Sequence, residues 1–360
     1  MADQAGKIAI TGVDCQTPVG RDIRATAAAI RAGTGLFIEH PFYFPILRDA
    51  EEDEPYQATA SICTHLTDEE FATERLSELL LEPLIRLIED SGFNRKEIGD
   101  GSICFALPEK GSGIAELNLG QDFLNDIVRK VALPKSVDLT AIKMGSMGFF
   151  YFLKKAIEKL ESGQSKYVII AATDSFISDA RLTYYDEHWR LKSNRNPHGF
   201  IPGEASSLVM LELEEPAKAR GANLLARLDG YGIGREPNPV TQDKSSTGEG
   251  MTMAFRKCLV QRNKDSTVKW IISGINGEQY HSYEWGVVNS RLLDNISSAV
   301  QLHHYADTIG EVGSALPGIS IGCVVNAFER GYAVDASALI CAGDDKGLRA
   351  VLSVSKPEEN

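Results

Sequence analysis

Apolar and polar positions alternate along this chain in two periods, and residues 136–174 show both most clearly. The run from Ser136 to Thr140 is short and β-prone. Gly145 and Gly148 bracket Ser146 at a tight turn, where small side chains let the backbone fold back. Phe150, Leu153, Ile157 and Leu160 then recur at helical spacing, and Gly163 stops the pattern. Tyr167 to Ala172 is a continuous apolar run, as expected of a strand buried on both faces. The pattern predicts strand, turn, helix and strand, with Ser146 at a helix N-terminus, where the backbone dipole favours an anion.

The same reading extends over the chain. Strands are predicted near 7–13, 102–107, 206–213, 224–233, 268–275, 334–342 and 348–354. Helices are predicted near 22–32, 68–91, 121–131, 250–261, 285–302 and 313–330. Pro83 falls inside the 68–91 pattern and predicts a kink or two abutting helices. From Phe37 to Leu47 the pattern gives way to an aromatic, proline-broken loop, followed by the acidic run RDAEEDEP. This reads as a surface excursion, either partner-facing or packed by its own aromatics. Strands alternating with helices of this length imply parallel sheets covered on both faces. The similar order of 1–213 and 222–360 predicts a duplicated α/β unit: two βαβαβαββ halves in a five-layered α-β-α-β-α core, intertwined as one structural unit.

Charge and composition narrow the function. The 360 residues carry a formal charge of −13, so there is no basic excess to replace phosphate counterions, and nucleic acid is not an expected partner. No apolar run is long enough to span a membrane, and MADQAGKIAITG lacks the layout of a secretory signal, so a cytoplasmic protein is expected. The six cysteines are scattered without a CxxC pair, which predicts buried reduced thiols and no metal site. Lys110 to Gly120 is Gly-rich but fits neither a phosphate-binding nor a dinucleotide-binding loop, so no cofactor is expected.

Three stretches carry a family resemblance. IAITGVDCQTPVGRDIRATAAAIRAGTGL (8–36) is similar to the opening of β-ketoacyl synthases. GFIPGEASSLVMLELEEPAKARGANLLARLDGYGIG (199–234) follows their GF-V-x-GEGAG and RGA pattern. LLLEPLIRLIEDSGFNRKEIG (79–99) resembles their helix before the second strand. Together with 136–174, the resemblance to the β-ketoacyl synthase branch of the thiolase-like superfamily covers nearly the whole chain. It implies a thiolase-like fold, a dimer in which Tyr167 to Ala172 pairs across the dyad, and a cysteine nucleophile with two histidines. Spacing back from Gly163 puts Ser146 where the cysteine is expected. After the strand WIISG, Asn276 stands at the first histidine position, and in ADTIGEVGSALPG Glu311 stands at the second. CAGDDKG (341–347) replaces the family's gatekeeper loop and has no phenylalanine, so Ile340 or Cys341 takes the gatekeeper's place.

Decarboxylative condensation needs an acylated thiolate and hydrogen-bond donors for an enolate. A serine without a base is a weak nucleophile, and an ionised glutamate only accepts hydrogen bonds. The resemblance therefore implies a catalytically degenerate protein acting as a binding or assembly component. Two contexts are implied: partner of an active synthase, or accessory of type VI secretion effector loading. Expected partners are a second copy or related thiolase-fold chain, an effector or adaptor, or an acyl carrier protein. Two alternatives stay open: a Ser146 acyltransferase or hydrolase with Glu311 or His281 as base, and an acyl-chain binder. A side chain such as Met144, Phe149 or Phe150 filling the tunnel would count against the binder. His303-His304 reads as a helix surface or end, Asp344-Asp345-Lys346 as a turn, and Tyr184-Tyr185 with His188-Trp189 as an aromatic interface patch.

Overall fold

The computed structural model describes residues 7–45, 57–66, 73–113, 119–193, 196–262 and 267–357. The acidic run after the aromatic loop lies outside these residues. The first half runs β1 (Ile8–Gln16), α1 (Ile23–Ala32), β2 (Ile38–Glu39), β3 (Thr59–Ala60), α2 (Thr73–Asp90), α3 (Arg95–Ile98), β4 (Ser102–Leu107), α4 (Gln121–Val131), β5 (Asp138–Lys143), α5 (Ser146–Glu161), β6 (Tyr167–Ser175), α6 (Asp179–Glu187), β7 (Glu204–Leu213) and α7 (Glu214–Ala219). The second runs β8 (Ala226–Arg235), α8 (Glu249–Arg262), β9 (Val268–Ser273), α9 (Gln279–Arg291), β10 (Ile296–His304), α10 (Ala306–Ile309), a 3-10 turn (Gly313–Ala315), α11 (Leu316–Arg330), β11 (Ser337–Gly343) and β12 (Leu348–Ser355).

Ten strands form one mixed sheet in the order β10-β9-β11-β12-β8-β1-β7-β6-β4-β5. Outward from the central β1–β8 pair, both arms follow one plan. Two antiparallel pairings lead to two parallel ones, through β7, β6, β4 and β5 on one side and β12, β11, β9 and β10 on the other. Alternation along the strands sorts their side chains into layers. Val168 and Ile170 of β6, with Ile340 of β11 and Leu352 of β12, face one shared core that contains α5 and α11. Ile169 and Phe105 face the other way, onto Leu80 and Leu84 of α2 and Phe123 and Ile127 of α4. Ile271, Leu339 and Val351 do the same against Phe255 of α8 and Val288 of α9. The result is the expected five layers, with α5 and α11 in the middle.

The central helices differ in how they pack. α5 fills the middle with Phe149, Phe150 and Phe152, all essentially inaccessible to solvent. α11 has glycine where neighbours come close; a Cβ at Gly318 would stand 2.3 Å from Ser207 Oγ. α2 is one helix with Pro83 inside it, not two abutting ones.

Three expectations are corrected. The helix predicted over 285–302 ends at Arg291, and Ile296–His304 is a strand. Val288, Leu292, Ile296 and Val300 recur every four residues, which suits one face of a helix and equally one face of a strand. The Leu292–Asn295 turn breaks the pattern, with the Asn295 N–H donating to the Leu292 carbonyl at 2.8 Å. His303 and His304 therefore lie on β10, where His304 Nδ1 is 2.6 Å from Ser273 Oγ. Lastly, Tyr167 to Ala172 cannot pair across a dyad, because β6 is bonded to β4 on one edge and β7 on the other. Among the described residues, the sheet ends at β5 and β10.

Candidate functional site

Ser146, from the first half, and Asn276, His281 and Glu311, from the second, line one pocket between the halves. Its water-accessible volume is about 100 Å³, room for several waters.

Ser146 opens α5 after Gly145, whose left-handed φ of 55° turns the chain into the helix. The serine is 8% exposed. Its hydroxyl donates to the Gly343 carbonyl, at the end of β11, over 2.6 Å. A carbonyl holds the proton in place but does not remove it, so the hydroxyl is not activated.

Asn276, in the loop after β9, has both its side-chain amide groups engaged. Its Nδ2 donates to Glu311 Oε2 at 2.8 Å and to Glu278 Oε2 at 3.1 Å, and its Oδ1 accepts the Glu278 N–H at 3.2 Å. Glu311 Oε1 accepts the Gly313 N–H at 2.8 Å. Burial pushes the Glu311 carboxyl above the usual carboxylate range, outweighing the donors from Asn276 and Gly313. His281, on the first turn of α9, places Nε2 3.5 Å from Glu278 Oε2.

Sequence reasoning missed the residue that organises this region. Arg190, in the connection from α6 to β7, donates to both oxygens of Glu278 at 2.7 and 2.8 Å. It also donates to both oxygens of Asp345 at 2.5 and 3.1 Å. Burial opposes the charge on Arg190, but the two carboxylates outweigh it and hold its pKa well above the ordinary value. Burial likewise opposes ionisation of Glu278, and the Arg190 fork reverses this, holding the carboxyl well below the usual range. Nothing local in the sequence marks Arg190, because both its partners come from the other half. Asp344 does form the expected turn, its Oδ1 accepting the N–H groups of Lys346 and Leu348. Of the aromatic patch, Tyr185 is buried and Trp189 is 51% exposed.

The pocket is acid-rich. Six carboxylates (Glu109, Asp174, Glu284, Glu311, Asp344, Asp345) line it, against Arg181, Arg190 and Arg349. Each guanidinium is paired: Arg181 with Asp174, Arg190 with Asp345 and Glu278, Arg349 with Glu284. Glu109 is paired with Lys346. Glu311 and Asp344 have no direct ion-pair partner among the described residues. No cluster of three or more His, Cys, Asp or Glu side chains suited to a metal occurs among those residues, and no helix there is long and apolar enough to cross a membrane. All six cysteines are free and buried.

This geometry sits in the α/β thiolase-like ketosynthase fold. A chain of a type II polyketide synthase acyl-carrier protein in complex with its ketosynthase superposes with a TM-score of 0.78 at 14% identity, over 99% of this chain and 100% of that one. The ishigamide ketosynthase/chain length factor gives 0.77 at 15%, over 98% and 100%. A β-ketoacyl synthase from Burkholderia phymatum gives 0.76 at 15%, over 98% and 100%. By sequence, the mitochondrial 3-oxoacyl-[acyl-carrier-protein] synthase of Arabidopsis thaliana is 27% identical over 36% of this chain and 30% of its own length. The 3-oxoacyl-[acyl-carrier-protein] synthase 2 of Rhizobium meliloti is 25% identical over 62% of this chain and 54% of its own. The matched stretches thus span less than two thirds of these relatives, and no family model matches the chain. The protein is ketosynthase-like, in fold throughout and in sequence distantly.

Proposed function

We propose that this chain is a non-condensing ketosynthase-like protein that serves as the binding partner of a second thiolase-fold chain. The observation that carries this reading is the state of the pocket. The Ser146 hydroxyl is held by a backbone carbonyl, while Asn276 and Glu311, at the positions where the resemblance places histidines, are bonded to each other. No nucleophile–base pair is formed. The surplus carboxylates would also repel an enolate or a malonyl group.

The partner reading draws on two supports. The ishigamide structure contains a ketosynthase with a chain length factor, and β5 offers an unpaired edge. Its sequence, DLTAIK, is self-complementary. Antiparallel pairing with a second copy about Thr140–Ala141 would set Asp138 opposite Lys143 of that copy. An acyl carrier protein is a further candidate partner, since the first structure above holds one with its ketosynthase. An accessory role beside type VI secretion effectors draws on the sequence resemblance alone. A serine-dependent acyltransferase finds no support in the hydrogen bond of Ser146, and an acyl-chain binder finds none in a central layer filled by Phe149 and Phe150.

Two measurements test the proposal. The purified chain is expected to give no decarboxylation or condensation with malonyl and acyl thioesters; turnover abolished by Ser146→Ala would overturn the reading. Sedimentation is expected to show a dimer weakened by Asp138→Lys and recovered by Asp138→Lys with Lys143→Asp. Indifference to both changes would rule out the β5 edge as the self-association surface.

A further inference from the structure

Ser273 and His304 take no part in the bonds among Ser146, Asn276, Glu311 and Arg190. Ser273 ends β9 and lines the pocket together with Gly274 and Ile275. His304 ends β10, the parallel neighbour of β9, in register with Ser273. Side chains at one register position of two paired strands share a face of the sheet. Here they meet, with His304 Nδ1 2.6 Å from Ser273 Oγ. The other contacts of the serine set the direction of this bond. Its Oγ accepts the Ile275 N–H at 3.3 Å, and the His303 carbonyl, at 3.5 Å, is too far for a good hydroxyl bond. The Oγ proton therefore points at Nδ1. Burial holds the His304 ring below the ordinary imidazole value and outweighs the nearby Asp307, so the ring is neutral and can take a proton. Ser146, by contrast, donates to a carbonyl.

We propose that Ser273 and His304 act as nucleophile and base toward an activated ester or thioester of a short, uncharged acyl group. Size and charge set the class. A cavity of about 100 Å³ admits an acyl group of a few carbons, and the surplus of carboxylates around it disfavours an acidic one. In the first step the bond from Oγ to the acyl carbon forms as the bond from that carbon to the leaving oxygen or sulfur breaks. The Oγ proton passes to Nδ1 and on to the leaving group. In the second step water attacks the acyl-serine and gives a proton to Nδ1. The carboxylic acid leaves, and Oγ regains its proton from the ring. The pair lies outside the three positions at which condensing chemistry would run, so it neither needs nor excludes the non-condensing reading.

The test uses the full chain with 4-nitrophenyl acetate. Release of 4-nitrophenolate is followed by absorbance, and acid-quenched samples are mapped for the acetyl group by peptide mass. The expected release persists in Ser146→Ala, is lost in Ser273→Ala and is at least about 100-fold slower in His304→Gln, the lower end of what a positioned base contributes. In the wild type the acetyl group should be found on Ser273. Equal release by wild type and Ser273→Ala would overturn the proposal, and equal release by wild type and His304→Gln would remove the base from it. An acetyl group found only on other residues of the wild type would also overturn it, and that outcome does not depend on any variant folding. The malonyl assay above does not report on Ser273, so the two readings fail separately.

Discussion

Asn276→Ala separates a structural role for the pocket from a chemical one. The change removes two N–H bonds to carboxylates and one acceptor for the Glu278 N–H. Bonds to charged groups are worth about 1.5–3 kcal/mol each and the neutral one about 1 kcal/mol. Their sum is an upper bound, because Glu311 can bind a proton once its donor is lost; burial already holds its carboxyl above the ordinary range. The expected loss is therefore about 2–4 kcal/mol at neutral pH. The sign with pH follows from linkage. A carboxyl whose pKa is higher in the folded chain than in the unfolded one destabilises the fold above its folded value. That penalty disappears as the pH falls below the unfolded value. Loss of the Asn276 donor raises Glu311 further, so the deficit should shrink on acidification from neutral towards the usual carboxylate range. Glu278, held low by Arg190, stays ionised throughout that window. Urea unfolding of wild type and variant across this range measures the effect. A change within about 0.5 kcal/mol, or a gain in stability as is common when a residue kept for chemistry is removed, would refute the reasoning.

Other substitutions probe the frame around the pocket. Glu204 begins β7 and accepts from Arg75, the Cys63 N–H and Ser175, all buried. Arg75→Met should cost about 3–5 kcal/mol in urea unfolding, with much of it recovered when Glu204→Leu is added. Gly313 has a left-handed φ of 48°, and a Cβ there would stand 2.1 Å from Asp174 Oδ2. Gly313→Ala should therefore lose about 2 kcal/mol or more, read from the denaturation midpoint. Phe150→Ala, in the middle layer, should cost about 3–5 kcal/mol by the same measurement.

What was legible in the sequence was what short-range pattern determines. α4 begins and ends at the predicted residues because Phe123, Leu124 and Ile127 alternate with charged positions and nothing competes. The Gly145–Ser146 turn was legible because its backbone angles, φ 55° with ψ −144°, are ones that glycine adopts far more readily than other residues. The 285–302 error came from a four-residue spacing that helix and strand share. The dyad error came from carrying a dimer contact over from the resemblance to the central strand of the first half, although a strand bonded on both edges has no group left for a partner. Ser146, Asn276 and Glu311 were found together because the resemblance aligned them, and His281 because it follows Asn276 by five residues. Arg190 had no such guide: its partners are 88 and 155 residues away, and a lone arginine before a loop looks like any solvated cation.

That distance explains how a site of this kind can change its use without changing the fold. The strand order and the three helix layers depend on apolar alternation spread over the whole chain, to which the pocket's polar residues add little, although Leu316, Cys341 and Ala342 belong to both core and pocket lining. The pocket sits where loops of both halves converge, and its polar groups must be satisfied by one another or by a ligand. Here the central ones are satisfied by one another: the Ser146 hydroxyl by a carbonyl, the Asn276 amide by Glu278 and Glu311, and the Arg190 guanidinium by Glu278 and Asp345. Each bond that closes the network takes away a group that could have met a substrate, and those of Ser146 and Arg190 also join the two halves. A condensing site needs the opposite arrangement, with donors left unpaired and pointing at the position where negative charge develops. The two arrangements fit one backbone and exclude each other. On the proposed non-condensing reading, giving this pocket condensing chemistry would require removing Arg190, Glu278 and Glu311 from the network, as well as placing a cysteine at 146.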